Sequence, residues 1–381
     1  MEPGNEIAMI SLPLGEGGKL VECRTTQVDR VGACKRASLK VVEYYALSED
    51  KKYQRYAEKI LNCSPRLEYV VPPPELQRPS RHEYDTSIPL ELQHASRCHT
   101  RNCPMCQRAR VDKMRAKMFQ SMPRIKQDYP DYRFLFLTLT VVNCNIWNLG
   151  SVIQLMHKGW NRMTQRVVWP VEGYIKSLEV TMPWDCYYED EYLGRMGKKS
   201  LDTWIERRKR QGGFRRGLLR TEATNEAHPH IHALLMVPPG YFAGRNYLSQ
   251  EQWTQLWRDC ARLNYKPIVN IKAVKADIEG ESEGARSVLE VVKYTTKPED
   301  MASSAEWLYG LTEQMHKVRA VSVGGVIADY VSQAVLNRID DSITAGDEQR
   351  RVGTPVVFEW VPREKTYVMT QLGDIFYDTY L

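Results

Sequence analysis

The chain has 381 residues, 43% of them hydrophobic and 26% charged, a balance that excludes a largely disordered or fibrous protein and leaves room for two or three modules. Its 53 basic and 47 acidic residues give a formal charge of +6, a mild excess that suits a polyanionic partner without requiring one. No apolar run approaches the roughly 20 residues that span a bilayer, and the N-terminus lacks a secretory layout. A cytoplasmic protein with no membrane partner is expected, and nine unevenly spaced cysteines fit a reducing compartment.

In chain order, Ala37 to Leu61 places apolar and aromatic residues along one face and predicts a helical stretch, the readable part of an N-terminal helical region over 1–60. A Pro-rich connection runs from Val70 to Pro89. It leads into a module, residues 61–128, that combines a cysteine cluster with a basic helix. Cys98, Cys103 and Cys106 can converge on one ion, and tetrahedral zinc needs a fourth ligand. Cys63 is the first candidate, with His99 or His94 as substitutes. A closed site of this kind is structural; the competing reading of Cys103 and Cys106 as a redox pair is disfavoured by the third cysteine and by the flanking arginines.

RFLFLTLTVV, beginning at Arg133, predicts a strand, and Leu149 to Val168 a helix. Strands are expected at Gly173–Thr181, Gly217–Thr224 and His230–Val237, with a charged helical insertion over Ser200–Gln211. A helix over Ser249–Leu263, a strand near Ile268–Ala276 and a helix ending near Lys297 close a catalytic domain over 129–300. Strands interleaved with helices imply an α+β domain on a mostly antiparallel sheet. The remainder, 301–381, is a C-terminal extension with a helix over Ala305–Val321 and a strand or hairpin in the aromatic tail.

Basic residues crowd two stretches. One runs from Arg101 through Arg108, Arg110, Lys113, Arg115 and Lys117 to Arg124 and Lys126; the other holds Arg207, Arg208, Lys209, Arg210, Arg215, Arg216 and Arg220. Each is either a phosphate-binding surface or a solvated face.

His230 and His232 lie two apart in an apolar strand, so both rings leave the same face, where a shared cation would satisfy them. The oxygen ligand is Glu222, which a hairpin centred on Asn225, Glu226 and Ala227 would set opposite His230, or Glu179 on the earlier strand; the short hairpin favours Glu222. Downstream, Glu290, Tyr294 and Lys297 fall on one stripe if their segment is helical. A metal and a nearby cation, Lys297 or Lys293, would favour attack on a phosphodiester by the phenolate.

In order, Phe136–Thr140, His228–His232 and Lys293–Lys297 resemble the three signature motifs of the HUH endonucleases, most closely the single-tyrosine Rep family of rolling-circle plasmids. The upstream Cys63, Cys98, Cys103 and Cys106 are similar to that family's cysteine pattern. The resemblance implies a five-stranded antiparallel HUH sheet with flanking helices, a Mg²⁺ or Mn²⁺ ion at the histidine pair, and a structural Zn²⁺. It implies that Tyr294 nicks one strand at the double-strand origin of the plasmid, leaving a 5′-phosphotyrosine and a 3′-hydroxyl, with later rejoining. Glu290 would activate water for the terminating cleavage and Lys297 would steady the phosphate. Origin DNA and the host helicase and polymerase are the implied partners. The long basic segment before His228 departs from the pattern and suggests an added DNA contact through Arg207–Arg216. A non-catalytic zinc-containing DNA-binding regulator, an HUH relaxase and an HUH transposase are the alternatives.

Overall fold

The computed structural model describes residues 9–14, 19–24, 26–71, 90–188, 219–223, 225–244, 246–274, 283–293, 295–334 and 353–372. In chain order its elements are β1 (Met9–Leu14), β2 (Lys19–Arg24), α1 (Thr26–Ala46), α2 (Lys51–Leu61), β3 (Arg66–Val71), β4 (Glu91–Ala95), α3 (Pro104–Asp128), β5 (Arg133–Thr140) and β6 (Cys144–Asn145). There follow α4 (Leu149–Thr164), β7 (Gly173–Thr181), β8 (Trp184–Tyr188), β9 (Leu219–Ala223), β10 (Glu226–Val237), α5 (Gln250–Ala261), β11 (Val269–Val274) and α6 (Glu283–Val291). The chain continues with α7 (Pro298–Met301), α8 (Ala305–Gln314), β12 (Val321–Gly325), α9 (Val326–Gln333), β13 (Thr354–Val361) and β14 (Thr366–Leu372).

The class is α+β, with antiparallel sheets and flanking helices. The main sheet runs β11-β5-β10-β7-β12, with the short β6 paired to the start of β10. A second sheet, β14-β13-β3-β4, joins the C-terminal hairpin to the strands on either side of the Pro-rich connection. The stretch expected as an extension therefore supplies β12 to the main sheet and two strands to the other.

Alternation along the strands sorts the main sheet into two faces. Leu135, Leu137 and Leu139 of β5 align with Ile231, Ala233 and Leu235 of β10, and Leu178 of β7 lies opposite Ile231. These join one core with α4, α5 and α8, in which Trp160, Trp253, Trp257 and Trp307 are fully buried. Truncating any of the four to alanine would cost about 3–5 kcal/mol. α4 and α5 pack closely because Gly159 has no side chain: a Cβ there would lie 2.9 Å from the Ala261 Cα. On the opposite face, Phe134, Ile175, Leu234 and Met236 pack under α3, α6 and α9. The other end of that face is polar, with Thr138, Thr140, Ser177, Glu179, His230 and His232 in register across β5, β10 and β7.

The predicted single helical stretch over Ala37–Leu61 is two helices. Asp50 starts the second by accepting the Lys52 N–H at 2.8 Å, which satisfies one of the donors that a helix start leaves free. The helix predicted from Ser249 begins one residue on, with Ser249 as its cap: Ser249 Oγ accepts from the Gln252 N–H, and the Gln252 side chain accepts the Ser249 N–H at 2.8 Å. The helix predicted to end near Lys297 stops at Val291. Beyond it, the Thr295 carbonyl accepts the Val180 N–H at 2.7 Å, so the chain turns to the sheet, and Lys297 caps the short α7. Glu290 in α6 and Lys297 in extended backbone therefore do not share one helical stripe.

Candidate active site and cysteine cluster

Cys63 follows the end of α2, Cys98 lies in the loop after β4, Cys103 is the residue before α3 and Cys106 is in its first turn. The four sulfurs lie within 4.8 Å of one another. Cys106 Sγ is 3.7 Å from Cys63 Sγ and 3.6 Å from Cys98 Sγ. A tetrahedron with Zn–S bonds of about 2.3 Å has edges of about 3.8 Å, so these separations fit zinc. His99, an alternative fourth ligand, is exposed, His94 is half-buried, and both lie outside the group. Three of the sulfurs belong to buried residues, and hydrogen bonds from Cys103, Cys106 and Cys98 hold the Cys63 thiol far below its usual range.

The second group is Glu179, His230 and His232. Glu179 and His230 are direct partners across the β7–β10 ladder. The Glu179 Oε2 lies 2.9 Å from His230 Nε2 and 3.1 Å from His232 Nε2, and Lys293 Nζ donates to it at 2.5 Å. Glu222 is elsewhere: its backbone pairs with Asp185 in the β8–β9 ladder. The expected hairpin does not form there, because Glu226 and Ala227 already belong to β10 and pair with β6. Pairing between distant strands, rather than the shortest connection, sets the carboxylate.

Ring orientation bears on what the group can hold. His230 Nδ1 is 3.2 Å from the His228 carbonyl, which can only accept, so that nitrogen carries the hydrogen. The Nε2 facing Glu179 must then bear a second proton or share a cation with the carboxylate. His232 Nδ1 is 3.2 Å from Thr138 Oγ1, and burial lowers the pKa of its ring, which disfavours protonation. His228 Nδ1 is 2.6 Å from Asn143 Oδ1. Burial would raise the Glu179 carboxyl, but hydrogen bonds from His230, His232 and Lys293 and the lysine charge hold it well below the usual range. Burial would lower Lys293, yet its bonds to Glu179 and Glu290, the latter at 2.6 Å, keep it above the ordinary lysine value. Two imidazoles and an ionised carboxylate at this spacing suit a divalent cation.

Tyr294 lies outside the described residues, as do Arg207, Arg208, Lys209, Arg210, Arg215 and Arg216. Both chain neighbours of Tyr294 contact β7, Lys293 through the Glu179 carboxylate and Thr295 through the Val180 N–H. Arg115 of α3 donates to the Val292 carbonyl at 2.7 Å and to the Leu289 carbonyl at 3.1 Å, satisfying acceptors that the end of α6 leaves open. Asn143 was not legible as a site residue, and the roles of Thr138 and Arg115 were not, since each acts through a partner distant in sequence. Two signals were available, Thr138 inside the LTLT motif and Arg115 inside the first basic stretch, and they acquire meaning only once β5 is placed beside β10 and α3 beside α6.

Fold and site together define an α+β protein with a cysteine cluster and a His/His/Glu centre. The chain matches the Rep_1 model, described as replication protein, over residues 89–368, and it belongs to that family. This bears out the resemblance carried by its motifs. It is 28% identical over 293 residues to Protein rep of Streptococcus pneumoniae serotype 2, covering 74% of this chain and 79% of the relative. Protein rep of Lentilactobacillus hilgardii is 24% identical over 87% of this chain and 92% of its own length. Protein rep of Bacillus amyloliquefaciens is 26% identical over 89% and 93%. No solved structure matches the chain.

Proposed function

We propose that this replication protein initiates rolling-circle replication of a plasmid by nicking one strand at the double-strand origin with Tyr294. The observation that carries the proposal is the Glu179, His230 and His232 group, whose carboxylate is bonded to Lys293, the residue before that tyrosine. The phenolic oxygen attacks the phosphorus, the bond to the 3′ oxygen breaks, and a proton passes to that oxygen. The products are a 5′-phosphotyrosine and a 3′-hydroxyl able to prime synthesis. A free tyrosine has a pKa near 10, so the phenolate needs help.

His230, His232 and Glu179 would hold Mg²⁺ or Mn²⁺, which when bound polarises the scissile phosphate. Lys293 and Lys297 add positive charge near the reacting phosphate, and Lys293 also orients Glu179 and Glu290. Glu290, exposed at the end of α6, can take a proton from water in the terminating cleavage. The four cysteines would hold a structural Zn²⁺ that fixes the start of α3. Origin DNA is the substrate, and the host helicase and polymerase act after the nick. No described helix is long and apolar enough to cross a membrane.

The test incubates purified protein with supercoiled DNA carrying its own gene and flanks, with and without Mn²⁺. The expected product is a protein-linked open circle that needs the ion, maps to Tyr294 by mass spectrometry and is absent with Tyr294→Phe. Sequence-specific binding without any adduct, in correctly folded metal-loaded protein, would leave a non-catalytic DNA-binding regulator instead.

A further inference from the structure

A cavity of about 500 Å³ lies between α3, the loop joining Cys98 to Cys103, and the segment on either side of Tyr294. Five basic side chains line it: Arg101, Arg110, Lys113, Lys117 and Lys293. Among the described residues no carboxylate lines it. Arg101, Arg110 and Lys117 form no ion pair among the described residues; Arg101 donates to the Val318 carbonyl and Arg110 to the Arg101 carbonyl. Burial, and then the Arg110 charge, pull Arg101 below its ordinary pKa. Val111, Met114, Val292 and Val321 supply apolar wall. Lys293 belongs both to this cavity and to the Glu179 contact, so the cavity opens beside the His/His/Glu centre.

From this we infer that the cavity is a nucleotide pocket: it takes one unstacked nucleotide of single-stranded DNA next to the scissile phosphate, with Arg110 and Lys117 on the phosphates. Apolar walls suit a base or sugar, and the Arg110 and Lys117 cations suit the flanking phosphates. The volume lies in the range of roughly 300–1,000 Å³ that holds a small ligand, and it excludes a duplex. The inference rests on the strand-nicking reading for the position of the nucleotide, but not for its binding. It also assigns a role to the first basic cluster, half of which faces this cavity: Arg101 from the loop before α3, and Arg110, Lys113 and Lys117 along α3.

The test uses the full-length, zinc-loaded protein and a fluorescein-labelled oligothymidylate of about 20 nucleotides, without Mg²⁺ or Mn²⁺, by anisotropy across a salt series. Each lost phosphate contact reduces the slope of log K against log salt by about 0.7 for a single strand. Arg110→Ala with Lys117→Ala should therefore flatten the slope by about 1.4, a loss of about 25-fold at 0.1 M salt relative to the 1 M extrapolation. Arg363→Ala, an exposed cation in the turn between β13 and β14, should leave the slope unchanged. Met114→Trp fills the cavity and should weaken strand binding while leaving binding of a duplex of equal length unaltered. Unchanged circular-dichroism melting verifies folding of each variant. An unaltered slope in the double variant, or equal losses on strand and duplex, overturns the pocket. If wild type forms the Tyr294 adduct while the variants bind like wild type, the pocket fails and nicking stands. If the variants lose strand binding while wild type forms no adduct, the pocket stands and nicking fails.

Discussion

Replacing Glu179 by glutamine keeps the size of the side chain and removes its charge. Glu179 is 2% exposed, and one of its oxygens meets His230 Nε2, His232 Nε2 and Lys293 Nζ at 2.9, 3.1 and 2.5 Å. Removing one partner of a buried ion pair costs about 3–5 kcal/mol, because the other charge is left uncompensated. Lys293 keeps Glu290 at 2.6 Å, which places the cost at the lower end, about 3 kcal/mol. With roughly 2–4 °C per kcal/mol in a domain of this size, the metal-free protein should melt roughly 6–12 °C lower. The same free energy corresponds to about a 100-fold loss of Mn²⁺ affinity, since the carboxylate is the anionic member of the group. Electron paramagnetic resonance titration of Mn²⁺ and a calorimetric melt measure the two quantities. Glu222→Gln should leave both at wild-type values, because the Glu222 backbone is committed to the β8–β9 ladder. Loss of Mn²⁺ binding in Glu222→Gln, with binding retained in Glu179→Gln, would refute the assignment.

Two further predictions follow from groups away from this centre. Cys106→Ser should reduce zinc from one ion per chain to a small fraction in elemental analysis and lower the melting temperature, because a structural zinc site contributes folding free energy directly; full zinc retention would rule out the four-cysteine site. Burial, and then the Lys176 charge, push His157 on α4 down to about 4, and its Nε2 finds no hydrogen-bond partner among the described residues. The fold holds this ring neutral while the unfolded chain takes up a proton below about 6.5. Its stabilising contribution is complete above that pH and is lost as pH falls from about 6.5 to about 4, so His157→Gln should flatten the melting-temperature profile across that window, and an unchanged profile would exclude the ring as its cause.

What the sequence determined by itself was local periodicity and the chemistry of short motifs. Gly173–Thr181 is a strand with the predicted ends, the strand at Arg133 stops at Thr140, and the His-x-His spacing puts both rings on one face, all because a pleated strand repeats every two residues. The cysteine spacing likewise contained the cluster, with Cys63 brought to the other three by α1, α2 and the start of α3. The partners of those faces were decided by the tertiary structure. A short loop made Glu222 the nearer carboxylate along the chain, but β7 pairs with β10 and brings Glu179 to His230. Helical spacing continued the Glu290 stripe to Lys297, but the hydrogen bond between Thr295 and Val180 draws the chain to the sheet after Val291. The last hairpin gained its place by pairing with β3, almost three hundred residues earlier. In each case the decisive hydrogen bond or apolar contact joins residues far apart in the chain, and local spacing carries no information about which distant strand will supply it.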